Sequence, residues 1–325
     1  MKTIALGPNK IPAPALIQGL MRTDHMSIQD LGSLLDTDLE HGLTYLDTSD
    51  IYSEGVCEEL LGETFAKRPG LRESFSLQTK CGIRMSSKGF NYYDFSEEYI
   101  LEAADASLRR LHTDHIDYYL LHRPDALFEP EEVASAFDKL AQSGKVLHFG
   151  VSNMNTSQFK LLQSHLRQPI EVNQLQFTVT HTSLVDADIC VNRVESQSYD
   201  HDQGILNYCR QHDCTIQAWS PFRATKSEFT GNLIDRFARK IETRPFLGSA
   251  EFPLINSVLD GYAKEYGVSS AAIVIAWILR HPAEMQIVLG SSKPERILDA
   301  AKGLEISLSR ETWYDIYRAA GNVIP

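Results

Sequence analysis

The stretch IDYYLLH, residues 116–122, is an apolar and aromatic run of strand length that ends in a histidine. Two earlier runs have the same form, since 43–46 leads into Asp47 and 75–79 leads into Lys80. When neighbouring strands are parallel, the residues that close them meet at one end of the sheet. We therefore expect a carboxylate, an amine and an imidazole to converge.

A phenol completes this group, because Tyr52 lies five positions after Asp47. A phenol beside the ammonium of Lys80 is suited to protonating a carbonyl oxygen. Taken singly, an aspartate at a strand end is usually a cap, and a histidine such as His122 is more often structural. A lysine that closes a buried strand is harder to explain, because it needs a counter-charge. The four residues together indicate catalysis.

Strand-like and helical runs alternate along the chain. The strand-like runs are 14–19, 43–46, 75–79, 116–121, 146–151, 171–176, 214–219 and 286–290, and helical segments include 27–41, 97–111, 130–143 and 269–280. Alternation of this kind implies a parallel sheet. Eight units predict an α/β fold, a single (β/α)8 TIM barrel that forms one domain over 1–325. The turn formers at 7–9 predict a short N-terminal hairpin at the bottom of the barrel.

Two connections are longer than is usual between barrel elements, 177–204 and 222–256. Long connections are often functional, and those that follow barrel strands lie on the active-site face. We expect long loops at the C-terminal face, with 222–256 folding over a bound cofactor and 177–204 bordering the substrate mouth.

Composition excludes several classes of protein. The 325 residues carry a formal net charge of −12, which argues against nucleic-acid binding. No run approaches the ~20 apolar residues that span a bilayer, and the N-terminus lacks a signal-peptide core. Five cysteines without a C-x-x-C pair suit free thiols in a reducing compartment. We expect a cytoplasmic, soluble protein without a metal site, and the oligomeric state stays open.

Polar residues at later strand ends fit a nicotinamide dinucleotide. Ser152, Asn153 and Gln174 offer donors and acceptors for a carboxamide, and Trp219 offers a flat face for an aromatic ring. Gly290, Ser291 and Ser292 precede a helix predicted from Pro294, and a helix N-terminus favours an anion. After the third strand, Tyr92, Tyr93 and Phe95 fit either a core or a pocket wall.

The chain resembles the aldo-keto reductases, in particular a bacterial oxidoreductase branch in which HRPD follows the fourth strand. The resemblance rests on LDTSDIY, TK, LLHRPD, GVSN, NQLQF, AWSP and GSSKPERI, which occur in the family's order between about residues 16 and 303. It implies an NADP(H)-dependent enzyme that reduces aldehyde and ketone carbonyls to alcohols. Three positions depart from the family pattern: Gly290, Ser53 and Met154.

The resemblance also implies roles for residues. Tyr52 is the general acid, Lys80 lowers its pKa, Asp47 pairs with Lys80, and His122 orients the carbonyl. The cofactor-binding residues implied by the resemblance are Gly19, Met21, Arg22, Asp47, Ser152, Asn153, Gln174, Trp219, Ser220, Pro221, Phe222, Gly290, Ser291, Ser292, Lys293 and Arg296.

The cations Lys293 and Arg296 at the start of the last barrel helix favour a 2′-phosphate, and hence NADPH over NADH. The ordinary alternative is that both are solvated helix residues.

Other classes of protein fit less well. A short-chain dehydrogenase needs Y-x-x-x-K and a glycine-rich turn, and a barrel glycosidase needs a second carboxylate at a strand end; the sequence has none of these. A non-catalytic, nicotinamide-binding regulatory subunit on the same fold stays open. Measurable turnover distinguishes it from an enzyme.

Overall fold

The computed structural model describes residues 1–194, 196–226 and 242–325. Its strands are β1 Thr3–Leu6, β2 Ile11–Pro14, β3 Leu16–Gly19, β4 Tyr45–Asp47, β5 Ser76–Cys81, β6 Ile83–Met85, β7 Asn91–Tyr93, β8 Ile116–Leu121, β9 Val146–Ser152, β10 Ile170–Gln176, β11 Thr215–Trp219, β12 Arg223–Lys226, β13 Glu242–Pro245 and β14 Gln286–Leu289. Its α-helices are α1 Ile28–Glu40, α2 Val56–Lys67, α3 Glu97–Arg110, α4 Pro130–Gln142, α5 Thr156–Gln163, α6 Ser183–Ile189, α7 Ile205–Gln211, α8 Pro253–Tyr266, α9 Ser270–Leu279, α10 Pro294–Ala301 and α11 Arg310–Ala319.

Eight strands close into a parallel barrel in the order β3, β4, β5, β8, β9, β10, β11 and β14. The predicted (β/α)8 TIM barrel is therefore confirmed, and all eight of its strands lie within two residues of their predicted bounds. The first barrel strand begins at Leu16 rather than at Pro14. Pro14 instead pairs with Thr3 in the hairpin, because proline, which lacks an N–H, is tolerated at the edge of a small sheet.

The N-terminal hairpin, β1 with β2, is also confirmed. Leu6 and Ala13 pack into one apolar cluster with inward-facing residues of the barrel strands: Ile17, Tyr45, Tyr118, Leu120, Val172 and Val288. The turn residue Gly7 has a φ of +64°, and its N–H donates to Thr215 Oγ1 over 2.9 Å at the start of β11. The hairpin thus covers the amino-terminal end of the barrel.

The helix signals in the sequence correspond to observed helix ends. Ser27 and Asp30 form a reciprocal capping box at the start of α1, and Pro130 occupies the first turn of α4. Residues 272–278 of α9 are all buried, as its nearly continuous apolar sequence predicts.

The described chain divides into two compact units. The first contains Met1–Leu175, His201–Trp219 and Ala283–Ile297, and therefore the barrel with its hairpin. The second contains Gln176–Asp200, Ser220–Pro282 and Leu298–Pro325. A single domain over 1–325 stays a prediction.

Stacked tryptophans organise the second unit. The rings of Trp277 and Trp313 lie 4.8 Å apart and nearly parallel, and the indole N–H of each donates to the other's carbonyl oxygen over 3.0 and 3.1 Å. Phe177 packs on Trp277 at 5.2 Å between ring centroids. These contacts leave no buried indole N–H unsatisfied.

The two long connections contain secondary structure of their own. The stretch 177–204 includes α6, and 222–256 includes the antiparallel pair of β12 and β13. Residues 195 and 227–241 lie outside the described residues, so the predicted covering and bordering roles of these connections stay predictions. Among the helices of the described residues, none has the length and apolar character needed to cross a membrane.

Candidate active site

Asp47 and Lys80 form a buried ion pair at the carboxyl-terminal end of the barrel. Asp47 is the last residue of β4, Lys80 lies in the neighbouring β5, and the distance from Nζ to Asp47 Oδ1 is 2.7 Å. The Lys80 side chain is completely buried and that of Asp47 is 3% exposed. The carboxylate is the counter-charge that a buried lysine requires, and removing either partner would leave an uncompensated buried charge.

Tyr52 lies on the turn that follows β4, within reach of the same ammonium. Lys80 Nζ donates to the Tyr52 hydroxyl over 3.3 Å and to the carbonyl oxygen of Thr48 over 2.7 Å. The ammonium also lies 5.0 Å from the centroid of the Tyr52 ring. The structure therefore brings Asp47, Lys80 and Tyr52 together, and the Lys80 ammonium contacts both the carboxylate and the phenol.

The pKa of Tyr52 differs from the expectation that Lys80 lowers it. Burial raises the pKa of the Tyr52 phenol above its ordinary value, and this outweighs the Lys80 charge, which acts to lower it. Burial acts to lower the pKa of Lys80, but Asp47 and Tyr52 raise it overall. The ammonium therefore stays protonated, and so does the phenol at neutral pH.

His122 follows β8 and faces the same phenol. The Tyr52 and His122 rings are 5.7 Å apart and nearly perpendicular. Burial, together with the positive charges of Lys80 and Arg123, lowers the pKa of His122 well below its ordinary value. The imidazole is thus neutral at neutral pH, with Ser49 Oγ 3.0 Å from its Nδ1 atom.

Glutamines from the barrel interior hold the carboxylate of Asp47. Its Oδ1 atom accepts from Gln78 Nε2 over 2.6 Å and from Gln174 Nε2 over 3.0 Å. Both amides also donate to Gln217 Oε1, and Gln217 Nε2 donates to Gln286 Oε1. Gln174, predicted as a carboxamide ligand, is therefore engaged with Asp47 in this structure.

A second network links Ser152, Asn153 and Trp219 to His122. Asn153 Nδ2 donates to Ser152 Oγ over 2.7 Å and to the carbonyl oxygen of His122 over 3.1 Å. Its Oδ1 accepts from Trp219 Nε1 over 3.2 Å. Asn153 has a φ of +61°, in the left-handed region that asparagine tolerates better than most residues. Ser152, Asn153 and Trp219, predicted to bind the carboxamide and to stack on the ring, thus lie directly beside His122.

The predicted phosphate residues lie between β14 and the first turn of α10. The Ser291 hydroxyl accepts from the Lys293 N–H over 3.2 Å, and the Ser291 carbonyl accepts from Gln18 Nε2 over 3.0 Å. Gly290, Lys293 and Arg296 are exposed, and Ser292 is half-buried. Neither cation has an ion pair or a side-chain hydrogen bond with the described residues.

The remaining predicted ligands are spread over both units. In the barrel unit, Gly19 is the last residue of β3 and is buried, whereas Met21 and Arg22, which follow it in the chain, are exposed. Ser220, Pro221 and Phe222 belong to the second unit and stay predicted ligands.

The aromatic residues after the third barrel strand, which fitted either a core or a pocket wall, do not share one environment. Tyr92 and Tyr93 are exposed on the β6–β7 hairpin, while Phe95 is fully buried and belongs to the core. In the described parts of the chain, no histidine, cysteine or acidic side chains are grouped closely enough to hold a metal ion.

Sequence reasoning missed three contributors to the site: Ser49, Arg123 and the interior glutamines. The signal for the glutamines was present, because Gln78, Gln217 and Gln286 interrupt buried strand runs and a buried amide needs partners. Ser49 and Arg123 flank recognised residues, but their orientation depends on side-chain packing.

The family model of the aldo/keto reductases matches residues 15–320. This chain belongs to the aldo/keto reductase family. It is 34% identical over 312 residues to the uncharacterized oxidoreductase YcsN of Bacillus subtilis, covering 94% of this chain and 93% of that protein. It is 33% identical over 328 residues to a 6-dehydroglucose reductase of Agrobacterium fabrum, covering 98% of each chain.

A crystal structure of an aldo/keto reductase from Klebsiella pneumoniae in complex with NADP and acetate has the same fold. Its TM-score is 0.71 at 24% identity, with 99% of this chain and 96% of that chain covered.

Two of the departures from the family pattern have local explanations in this aldo/keto reductase. Ser53 adopts a φ of +48°, a conformation that glycine favours, and its hydroxyl donates to Asp24 Oδ2 over 2.7 Å. Met154 is fully buried, and its carbonyl oxygen accepts from Asn173 Nδ2. Gly290 has open space where a side chain would be, so a larger residue would meet no obstacle there.

Proposed function

We propose that this aldo/keto reductase reduces aldehyde and ketone carbonyls to alcohols with NADPH, using Tyr52 as general acid. The observation that carries the proposal is the contact of one buried ammonium with both Asp47 and the Tyr52 hydroxyl. A protonated phenol held by a fixed cation, next to a neutral imidazole, is a proton donor of the kind that carbonyl reduction needs.

The donor set fits a nicotinamide dinucleotide. Trp219 presents an aromatic face beside Ser152 and Asn153, and the exposed cations Lys293 and Arg296 lie at the start of α10 without ion pairs among the described residues. The residues that would hold the cofactor are those predicted from the sequence: Gly19, Met21, Arg22, Asp47, Ser152, Asn153, Gln174, Trp219, Ser220, Pro221, Phe222, Gly290, Ser291, Ser292, Lys293 and Arg296. When bound, the reduced cofactor supplies a hydride to the carbonyl carbon.

The residues of the chain supply the proton and hold the substrate. The Tyr52 hydroxyl donates its proton to the carbonyl oxygen, and the Lys80 ammonium stabilises the phenolate that remains. Asp47 fixes the ammonium, and the two glutamine amides fix Asp47. If Nδ1 accepts from the Ser49 hydroxyl, a neutral His122 carries its N–H on Nε2 and donates it to the same oxygen, so that the developing negative charge meets donors already in place.

The relatives support an oxidoreductase and a nicotinamide cofactor. A protein similar to this one over nearly its whole length is named a 6-dehydroglucose reductase, and the solved structure from Klebsiella pneumoniae binds NADP. In this chain the pair Lys293 and Arg296 favours a cofactor with a 2′-phosphate.

Turnover assays test the proposal. We expect loss of the absorbance of NADPH in the presence of at least one member of a panel of aldehydes, ketones and quinones. Binding of NADPH without turnover of any member would instead favour the non-catalytic, nicotinamide-binding subunit.

A further inference from the structure

Arg123 follows His122, and among the described residues its guanidinium takes no part in the hydrogen bonds around Asp47, Tyr52, Lys80 and His122. The side chain is half-buried, and its guanidinium carbon lies 5.6 Å from the centroid of the Trp219 ring. Burial lowers the pKa of this guanidinium, yet arginine keeps its proton in proteins. A cation therefore lies over the indole that neighbours the predicted cofactor residues.

This guanidinium has no anionic partner within the part of the chain that the structure describes. There, no carboxylate lies within 4.0 Å of it and no acceptor receives a hydrogen bond from it. The acid two positions further on, Asp125, is already engaged, since it accepts from the N–H groups of Phe95 and Leu127. A half-buried arginine elsewhere in the barrel unit, Arg110, is paired with the buried Glu58 over 2.7 Å.

The charge of Arg123 acts on the reacting side of the site. It interacts electrostatically with the phenols of Tyr52 and Tyr93 and with the imidazole of His122. A carbonyl oxygen at Tyr52 and His122 would therefore place the substituent on its carbon close to five unused N–H donors. A planar guanidinium matches a carboxylate bidentately, and desolvation strengthens such a contact.

We infer that Arg123 determines specificity by binding a carboxylate carried close to the carbonyl group of the substrate. The preferred substrates are then oxo-carboxylic acids rather than neutral aldehydes and ketones. This inference rests on the proposed carbonyl reduction and names the substrate class of that site.

Matched acid and ester pairs test this specificity. We would measure kcat/KM with NADPH for glyoxylate and methyl glyoxylate, and for 2-, 3- and 4-carboxybenzaldehyde with their methyl esters. A charge-assisted contact predicts that the best acid exceeds its ester by about 10- to 100-fold, mainly through KM. The positional isomers report how far from the carbonyl the carboxylate binds.

Three substitutions separate a specific contact from general charge. Arg123→Gln should bring the ratio of kcat/KM for the acid to that for its ester close to one, and Arg123→Lys should restore only part of the ratio, because lysine lacks the planar fork. Arg109→Gln removes the same charge from an exposed position in α3 and should change nothing.

Three results would overturn the inference. Equal kcat/KM for acid and ester in the wild type would do so while leaving carbonyl reduction intact. A weaker Kd for NADPH in Arg123→Gln, with equal losses for acids and esters, would assign the residue to the cofactor instead. No turnover of any acid or ester would remove the proposed function together with the inference.

Discussion

At the scale of single residues, Tyr52 is the group whose hydroxyl oxygen contacts the buried ammonium. Removal of that oxygen in Tyr52→Phe should lower kcat by at least ~10²-fold, because general acid catalysis typically contributes this much. The Kd for NADPH, measured by fluorescence titration, should stay at the wild-type value. Tyr314→Phe, which removes an exposed phenol from α11, is the matched control. Near-normal turnover of a carbonyl substrate by Tyr52→Phe would show that another group supplies the proton.

The exposed pair Lys293 and Arg296 decides between the two nicotinamide cofactors. Each charge-assisted contact is worth roughly 1.5–3 kcal/mol, so two contacts to a 2′-phosphate predict a ratio of kcat/KM for NADPH over NADH of about 10²- to 10⁴-fold. Arg296→Ala should reduce this ratio by about tenfold or more, with little change in the NADH value. Lys302→Ala removes a cation already paired with Asp299 and serves as the control. Equal use of both cofactors would argue that the phosphate site is elsewhere.

At the scale of elements, helix α1 buries a carboxylate without compensation. Asp38 is 2% exposed, its Oδ2 atom has no hydrogen-bond partner among the described residues, and burial raises its pKa to about 8. Because the folded state keeps this proton to higher pH than the unfolded chain, the free energy of unfolding should fall as pH rises from about 4 to about 8. One proton contributes a slope of at most about 1.4 kcal/mol per pH unit.

Denaturant unfolding at pH 6.5, 7.2 and 8.0 measures this slope. Asp38→Asn should unfold with a free energy that depends less on pH than that of the wild type. Glu40→Gln, an exposed substitution two residues away in the same helix, should keep the wild-type slope. Parallel pH profiles for Asp38→Asn and wild type would contradict the prediction.

The sequence was most informative for elements whose pattern follows directly from burial. Barrel strands such as β8 are continuous apolar runs, and the polar residues that close them must lie at one end, so the convergence of Asp47, Lys80 and His122 was predictable. The direction in which the pKa of Tyr52 shifts was not predictable from the sequence, because burial and the Lys80 charge oppose each other. The orientation of Arg123 over Trp219 depends on how the loop after β8 packs against the end of β11, which one sequence does not encode in any local pattern.

At the scale of the whole molecule, all five thiols are buried. None of Cys57, Cys81, Cys190, Cys209 and Cys214 forms a disulfide, all five are buried, and burial raises the pKa of both Cys81 and Cys214. Since the thiolate is the reactive form, a chromogenic disulfide reagent should modify no thiol of the native protein within minutes and five after unfolding. Ser33→Cys, at an exposed position of α1, should add one fast-reacting thiol. Rapid reaction of the wild type would show that one buried thiol becomes accessible in the native state.

The hairpin at the closed end of the barrel has an effect on the opposite end. The carbonyl oxygen of Pro14 accepts from Gln286 Nε2 over 2.8 Å, and this sets which end of that amide is left to accept from Gln217. Gln217 is oriented in turn, and its Oε1 receives Gln78 Nε2, which also donates to Asp47. The relay of amides is therefore fixed at both ends, by a carbonyl outside the barrel and by the active-site carboxylate, which can only accept. A chain that began after Pro14 would lose the first of these acceptors, and Asp47 alone would then set the polarity of the interior amides.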